Sequence, residues 1–260
     1  MTHATFSGTE ANLHLPAAWE ELSQPELQGL YAAMAASPLD DVRLIGLRVL
    51  AGLKIDVGRR IGDRVFVSLP CASSRGKTRR VVFYMQPEVI GSVMSELDWM
   101  LQPGAVPVRL SAIGSRHAVD ARLRNVPFGD YLLVENLYQG FVQSRNPDAL
   151  AKAAQILYPG FKGERFGRMM VINMLNWLLQ VKAMFSACFP DFFRPVGSAE
   201  GEEVCVADLY NNQIRALTGG DVTKEEQVKR IDCWRALTEL DFKAKEAEEL
   251  RQEQAKFRNK

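Results

Sequence analysis

The 260-residue sequence is poor in the side chains that most enzymatic chemistry requires. It has three histidines, His3, His14 and His117. None has a companion at i+2, i+3 or i+4, and no H-E-x-x-H run or Cys/His cluster occurs, so neither a metal site nor another cofactor is expected. The four cysteines, Cys71, Cys188, Cys205 and Cys233, are scattered and lack C-x-x-C spacing. That distribution suits free thiols in a reducing cytoplasm. Met1–Thr5 shows neither the basic nor the apolar part of an export signal, which again suggests the cytoplasm. Charge of one sign is also missing: Lys and Arg total 32 against 31 Asp and Glu, a net +1. No global field therefore attracts nucleic acid or a membrane surface. Long apolar runs reduce to Met169–Phe189, which Asn173, Asn176, Gln180 and Lys182 interrupt. A spanning helix needs about 20 predominantly apolar residues, so this stretch reads as a buried helix. No solenoid-type repeat appears.

What remains is the material of a folded, mainly helical protein, 47% hydrophobic and 24% charged. The first dozen residues are small and polar and read as loose. Ser23, Pro25 and Glu26 announce a helix through Leu27, Leu30, Tyr31 and Met34. Pro38 and Asp40-Asp41 begin another through Ile45, Val49 and Leu50. The period then changes. Val65, Val67 and Leu69, a polar link at Ser73–Lys77, and Val81–Tyr84 predict a β-hairpin near residues 60–86. Glu88–Leu101 reads as helix, and Val108–Leu110 with Val119–Leu123 as short strands. From Phe128 onward the pattern is helical almost throughout. Asn146 caps one segment, and Pro190 stops the Met169–Phe189 helix. Thr223 and Glu226 form a capping box at the start of the last helical region. There Glu239 with Lys243 and Asp241 with Lys245 have salt-bridge spacing. The expected fold is mainly α (α+β), with one β-hairpin or small antiparallel sheet in the N-terminal half and a long charged C-terminal helix. Its expected divisions are a flexible 1–12, a main domain over 13–196, an acidic linker at 197–203 and a helical region over 204–260.

Three features invite functional readings. Gly76-Lys77-Thr78 follows an apolar run, as in a phosphate-binding loop. However, the first glycine position of that motif is Cys71, and "RRVVFYMQP" downstream is strand material rather than helix. Seven basic residues also gather here: Arg59, Arg60, Arg64, Arg75, Lys77, Arg79 and Arg80. With Phe66, Phe83 and Tyr84 among them, a basic ribbon could track phosphates or meet a protein partner. Alternation of the strands sends Val65, Val67, Val81 and Phe83 inward and leaves the basic groups solvated. Ser115, His117 and Asp120 lie close in sequence, but no strand–serine–helix elbow surrounds them. A non-enzyme is therefore expected.

"LPAAWEELSQPELQGLYAAM" (Leu15–Met34) resembles the opening of a group of uncharacterised phage and prophage proteins. "FGDYLLVENLYQGFVQS" ahead of "ALAKAAQILYPG", the long helix bearing Trp177, and "FPDFF" (Phe189–Phe193) extend the resemblance across Leu15–Phe193. That group is tail-assembly-chaperone-like. The resemblance implies an assembly protein in the host-cell cytoplasm that coats a long helical partner, such as a tape-measure protein. A virion subunit (connector or tail completion) and a nucleic-acid-binding module are the alternatives. The resemblance assigns no functional residues.

Overall fold

The computed structural model of the chain describes residues 2–6, 9–13, 15–37, 41–72, 78–164, 166–194 and 206–258. Two compact units divide it: Met1–Gly104 with Gly167–Asn173, and Ala105–Phe166 with Met174–Lys260. The fold is mainly helical, with a small antiparallel sheet in the N-terminal half and a long last helix.

In the first unit, β1 (Thr2–Phe6) and β2 (Thr9–Leu13) pair antiparallel, with Thr2 opposite Leu13. A short 3₁₀ turn at Trp19–Glu21 precedes α1 (Gln24–Ala36). Ser23 caps α1: its Oγ accepts from the Glu26 N–H, and its own N–H donates to Glu26 Oε2 at 2.9 Å. Leu27, Leu30 and Tyr31 form the buried stripe. In α2 (Val42–Leu50), Asp41 Oδ1 accepts from the Arg43 N–H at 2.9 Å. Pro38 and Asp40, read as part of that start, lie outside the described residues.

The sheet has three strands, in the order β3 (Lys54–Ile61), β4 (Arg64–Ala72), β5 (Thr78–Met85). The expected hairpin is β4–β5, with Val65 opposite Met85 and Val67 opposite Phe83. β3 escapes sequence reading because charge and Gly58 break its alternation, and its register shifts between Asp56 and Arg60. Val65, Val67, Leu69 and Met85 are buried. Val81, expected inside, is 37% exposed, since β5 is an edge strand with a neighbour on one side only. The helix read over Glu88–Leu101 is two pieces: α3 (Pro87–Ser95) and a 3₁₀ turn at Asp98–Leu101. Ser92 and Ser95 hydroxyls donate back to the Glu88 and Gly91 carbonyls, a habit that bends and ends helices.

In the second unit the only strands among the described residues are β6 (Ala112–Ile113) and β7 (Arg116–His117). The passages read as strands, 108–110 and 119–123, are irregular, and side chains satisfy their backbone instead of a ladder. The Val108 N–H donates to Gln180 Oε1 at 2.6 Å, and the Leu110 carbonyl accepts from the Tyr158 hydroxyl at 2.8 Å. The Ala121 and Arg122 carbonyls accept from the Trp177 and Trp234 indoles, both at 2.7 Å.

The helices of this unit are α4 (Phe128–Ser144), α5 (Pro147–Leu157), α6 (Arg168–Cys188) from Met174 onward, α7 (Val206–Thr218), α8 (Glu225–Arg230) and α9 (Cys233–Arg258). Asn146 caps α5 as expected, its Oδ1 accepting from the Asp148 N–H at 3.0 Å. The Thr223–Glu226 box does not form. Asp221 Oδ1 accepts the Thr223 N–H at 3.0 Å and starts a 3₁₀ turn ahead of α8. Asp232 Oδ1 accepts the Trp234 N–H at 3.0 Å and opens α9 separately. Tyr131, Phe185 and Trp234 meet edge to face at 5.5 and 5.4 Å, joining α4, α6 and α9. The expected acidic linker at 197–203 lies outside the described residues. The Met169–Phe189 run is α6, and among the described residues no helix is long and apolar enough to cross a membrane.

Candidate functional site

The first unit contains an open groove of about 700 Å³. α1, α2 and α3 meet β3 and β4 there. Ile45, Leu53, Val65 and Ile90, all buried, make its floor, and the half-open Leu44, Ile55 and Met94 continue it outward. α2 supplies two faces at once: Ile45 and Leu47 pack inside, and the neighbouring Leu44 is 36% exposed. Arg48, Lys54, Arg60 and Asp63 line the same groove. Gly91 of α3 borders it, and a Cβ built there would meet nothing within 4 Å. Sequence reading missed this site. Its only linear signals are Leu44 beside the α2 stripe and a glycine inside a helix.

The described basic residues of the hairpin have different local settings. Arg60, opposite Val65, lines the groove. Arg59 lies over the Phe66 ring, 5.3 Å from its centroid, and pairs with Asp56 at 3.5 Å. Phe66 in turn packs edge to face on Tyr84 at 5.8 Å. Arg80 is a structural clip: its guanidinium donates to the Gly52 carbonyl at 2.8 Å and to the Ser68 carbonyl at 2.9 Å and hydroxyl at 3.2 Å. Arg64 is exposed at the start of β4, opposite Ile61. Arg79 stands opposite Cys71 in the β4–β5 register. Arg75 and Lys77 lie outside the described residues.

The phosphate-loop reading fails on backbone. Thr78, where a helix N-terminus would have to begin, starts β5, so no row of free helix N–H groups follows. Asp120, drawn beside Ser115 and His117 by the sequence, uses Oδ1 to accept the Arg122 and Arg124 N–H groups at 3.0 and 3.2 Å. It is a loop organiser. Cys233 is fully buried with its thiol donating to the Leu123 carbonyl at 3.1 Å. Burial and the adjacent Asp232 push that thiol up to about 12, which makes it a poor nucleophile. Among the described residues no group of three His, Cys, Asp or Glu is arranged to hold a metal.

A second cavity, about 690 Å³, lies in the other unit between α4, α7 and α9. Tyr131, Phe192 and Phe193 line it with several amide side chains. Its two charges already have partners: Glu135 pairs with Lys182, and Lys243 lies 3.8 Å from Glu239. The groove of the first unit, with an apolar floor and a basic rim, has the clearer ligand preference.

The chain matches no family model, no curated protein and no solved structure.

Proposed function

We propose that this chain is a non-enzymatic assembly protein that shields an apolar helical surface of a protein partner, as a tail-assembly chaperone does for a tape-measure protein. The observation that carries the reading is the open apolar groove walled by α1, α2 and α3. Helical walls offer grooves between their side-chain ridges into which the ridges of a further helix fit, the arrangement by which such sites take amphipathic segments. The ordered resemblance across Leu15–Phe193 supports the same class of role.

Co-expression with a long helical tape-measure-type protein tests the proposal. The partner should move into the soluble fraction and co-purify with this chain, and Leu44→Glu should abolish the complex. A partner equally insoluble with and without this chain overturns the reading. Recovery of the chain from purified particles would favour a virion subunit, because a chaperone leaves before assembly is complete.

A further inference from the structure

The groove's charge is one-sided. Arg48, Lys54 and Arg60 line it against a single carboxylate, Asp63. Among the described residues no Asp or Glu forms an ion pair with Arg48 or Lys54. The whole chain is nearly neutral at +1, so this surplus is local to the groove. Solvated arginine and lysine stems can also cover apolar floor while their charged ends stay in water, ready to meet an incoming carboxylate.

The second feature is Gly91. Glycine in a helix interior is disfavoured relative to alanine because it loses more backbone freedom on folding. Nothing in the fold occupies the space its side chain would take, so packing within the unit does not require it. Its effect is to keep the α3 wall low where the groove opens. A small residue at a crossing point lets two helix backbones approach closely.

We infer that the groove binds one amphipathic α-helix of a protein partner, with Asp and Glu flanking its apolar stripe and its closest approach at Gly91. The inference rests on the reading of the groove as a helix-binding site. It adds the partner's chemistry: carboxylates beside Arg48 and Lys54, and branched aliphatic side chains over Leu44, Ile55 and Met94. Charge of this kind steers encounter and selects among partners more than it adds raw affinity.

Two labelled synthetic helical peptides of about 20 residues, long enough to hold a helix in solution, provide the test. They share a Leu stripe at i, i+3, i+4 and i+7 and differ only in Glu or Lys on its flanks. Fluorescence anisotropy with the full chain should show the Glu-flanked peptide binding about tenfold more tightly at low salt, as a few rim ion pairs allow. The gap should close at about 0.5 M salt, where the Debye length is only a few ångströms. Arg48→Glu with Lys54→Glu should reverse the order. Gly91→Trp should remove binding of both peptides, and Gly91→Ala should weaken both to a lesser degree. Equal affinity of the two peptides, with Gly91→Trp still blocking both, overturns the acidic-partner inference and leaves the groove reading standing. If neither peptide binds, or if binding survives both Gly91→Trp and Leu44→Glu, the groove reading falls as well. Thermal melts of each variant separate a blocked groove from an unfolded chain.

Discussion

Trp19 and Trp99 meet edge to face, with ring centroids 5.1 Å apart and planes at 89°. Each indole then donates to backbone beside the other ring: Trp19 Nε1 to the Gln102 carbonyl at 3.1 Å, Trp99 Nε1 to the Pro16 carbonyl at 2.9 Å. The entry to α1 and the turn after α3 are thus clasped reciprocally. Replacing either ring by phenylalanine removes one hydrogen bond and should cost about 1 kcal/mol. A double-mutant cycle on Trp19→Phe and Trp99→Phe, followed by urea unfolding, should show a coupling of about 0.5–1.5 kcal/mol. Strict additivity would mean that the two clasps act independently.

Arg80 ties β5 to β4 and to the loop before β3. Arg80→Ala should destabilise the first unit by about 1–2 kcal/mol, and Arg80→Lys should recover only part, because an ammonium cannot reproduce the planar fork. The Gly52 end of the clip is equally constrained. Gly52 has φ +65°, and a Cβ there would lie 2.8 Å from Pro70 Cγ. Gly52→Ala should therefore cost about 1–3 kcal/mol. Arg80→Ala should leave retention on a polyanion column unchanged; a marked loss would return the hairpin to the nucleic-acid candidates.

Asp241 carries an interaction that its helical spacing disguises. Its Oδ1 accepts the N–H groups of Asp191 and Phe192 at 2.8 and 2.9 Å, fastening the turn after α6 to α9. Asp241→Ala should cost about 1–3 kcal/mol, because two N–H groups lose a charged acceptor. Lys245→Ala should change stability by less than about 0.5 kcal/mol. Chemical denaturation of the two variants checks the contrast, and equal effects would restore the surface ion pair as the main role of Asp241.

Cys233 gives the fold an alkaline limit. Its thiol titrates near 12 in the folded chain, raised first by burial and then by Asp232. An unfolded thiol titrates near about 8.5, so between these values the folded chain holds a proton that the unfolded chain releases. Stability is thus intact below about pH 8.5 and falls as pH rises toward 12. Burial raises the Tyr131 hydroxyl as well, which adds a loss of the same sign at the alkaline end. Cys233→Ala should flatten the pH dependence of unfolding between pH 9 and 11. At pH 8, iodoacetamide should alkylate the exposed Cys188 and spare Cys233 until denaturant is added. Equal labelling of both in the native chain would contradict the burial.

The elements with strong local signals are legible in the sequence. Ser23 with Glu26, and Asn146 with Pro147, mark helix starts that depend only on neighbouring residues. The β4–β5 alternation likewise survives in the sheet. Failures occur where distant groups take over. Residues 119–123 carry strand-like side chains, yet their carbonyls bond the indoles of Trp177 and Trp234, so no ladder forms. Asp241 has the spacing for a bond to Lys245 and instead holds the Asp191 and Phe192 N–H groups, whereas Thr223 loses its cap role to a local competitor, Asp221 two residues before it.

Periodicity, caps and turn residues act over a few positions, and they account for a mainly helical chain with the β4–β5 hairpin in its first half. Only the tertiary structure decided which charges are available at the surface. Arg80 is spent on carbonyls and Arg59 on a carboxylate and a ring, whereas Arg48 and Lys54 border an apolar groove. A hydrogen bond or an open cavity depends on atoms within a few ångströms, and chain spacing does not encode that distance.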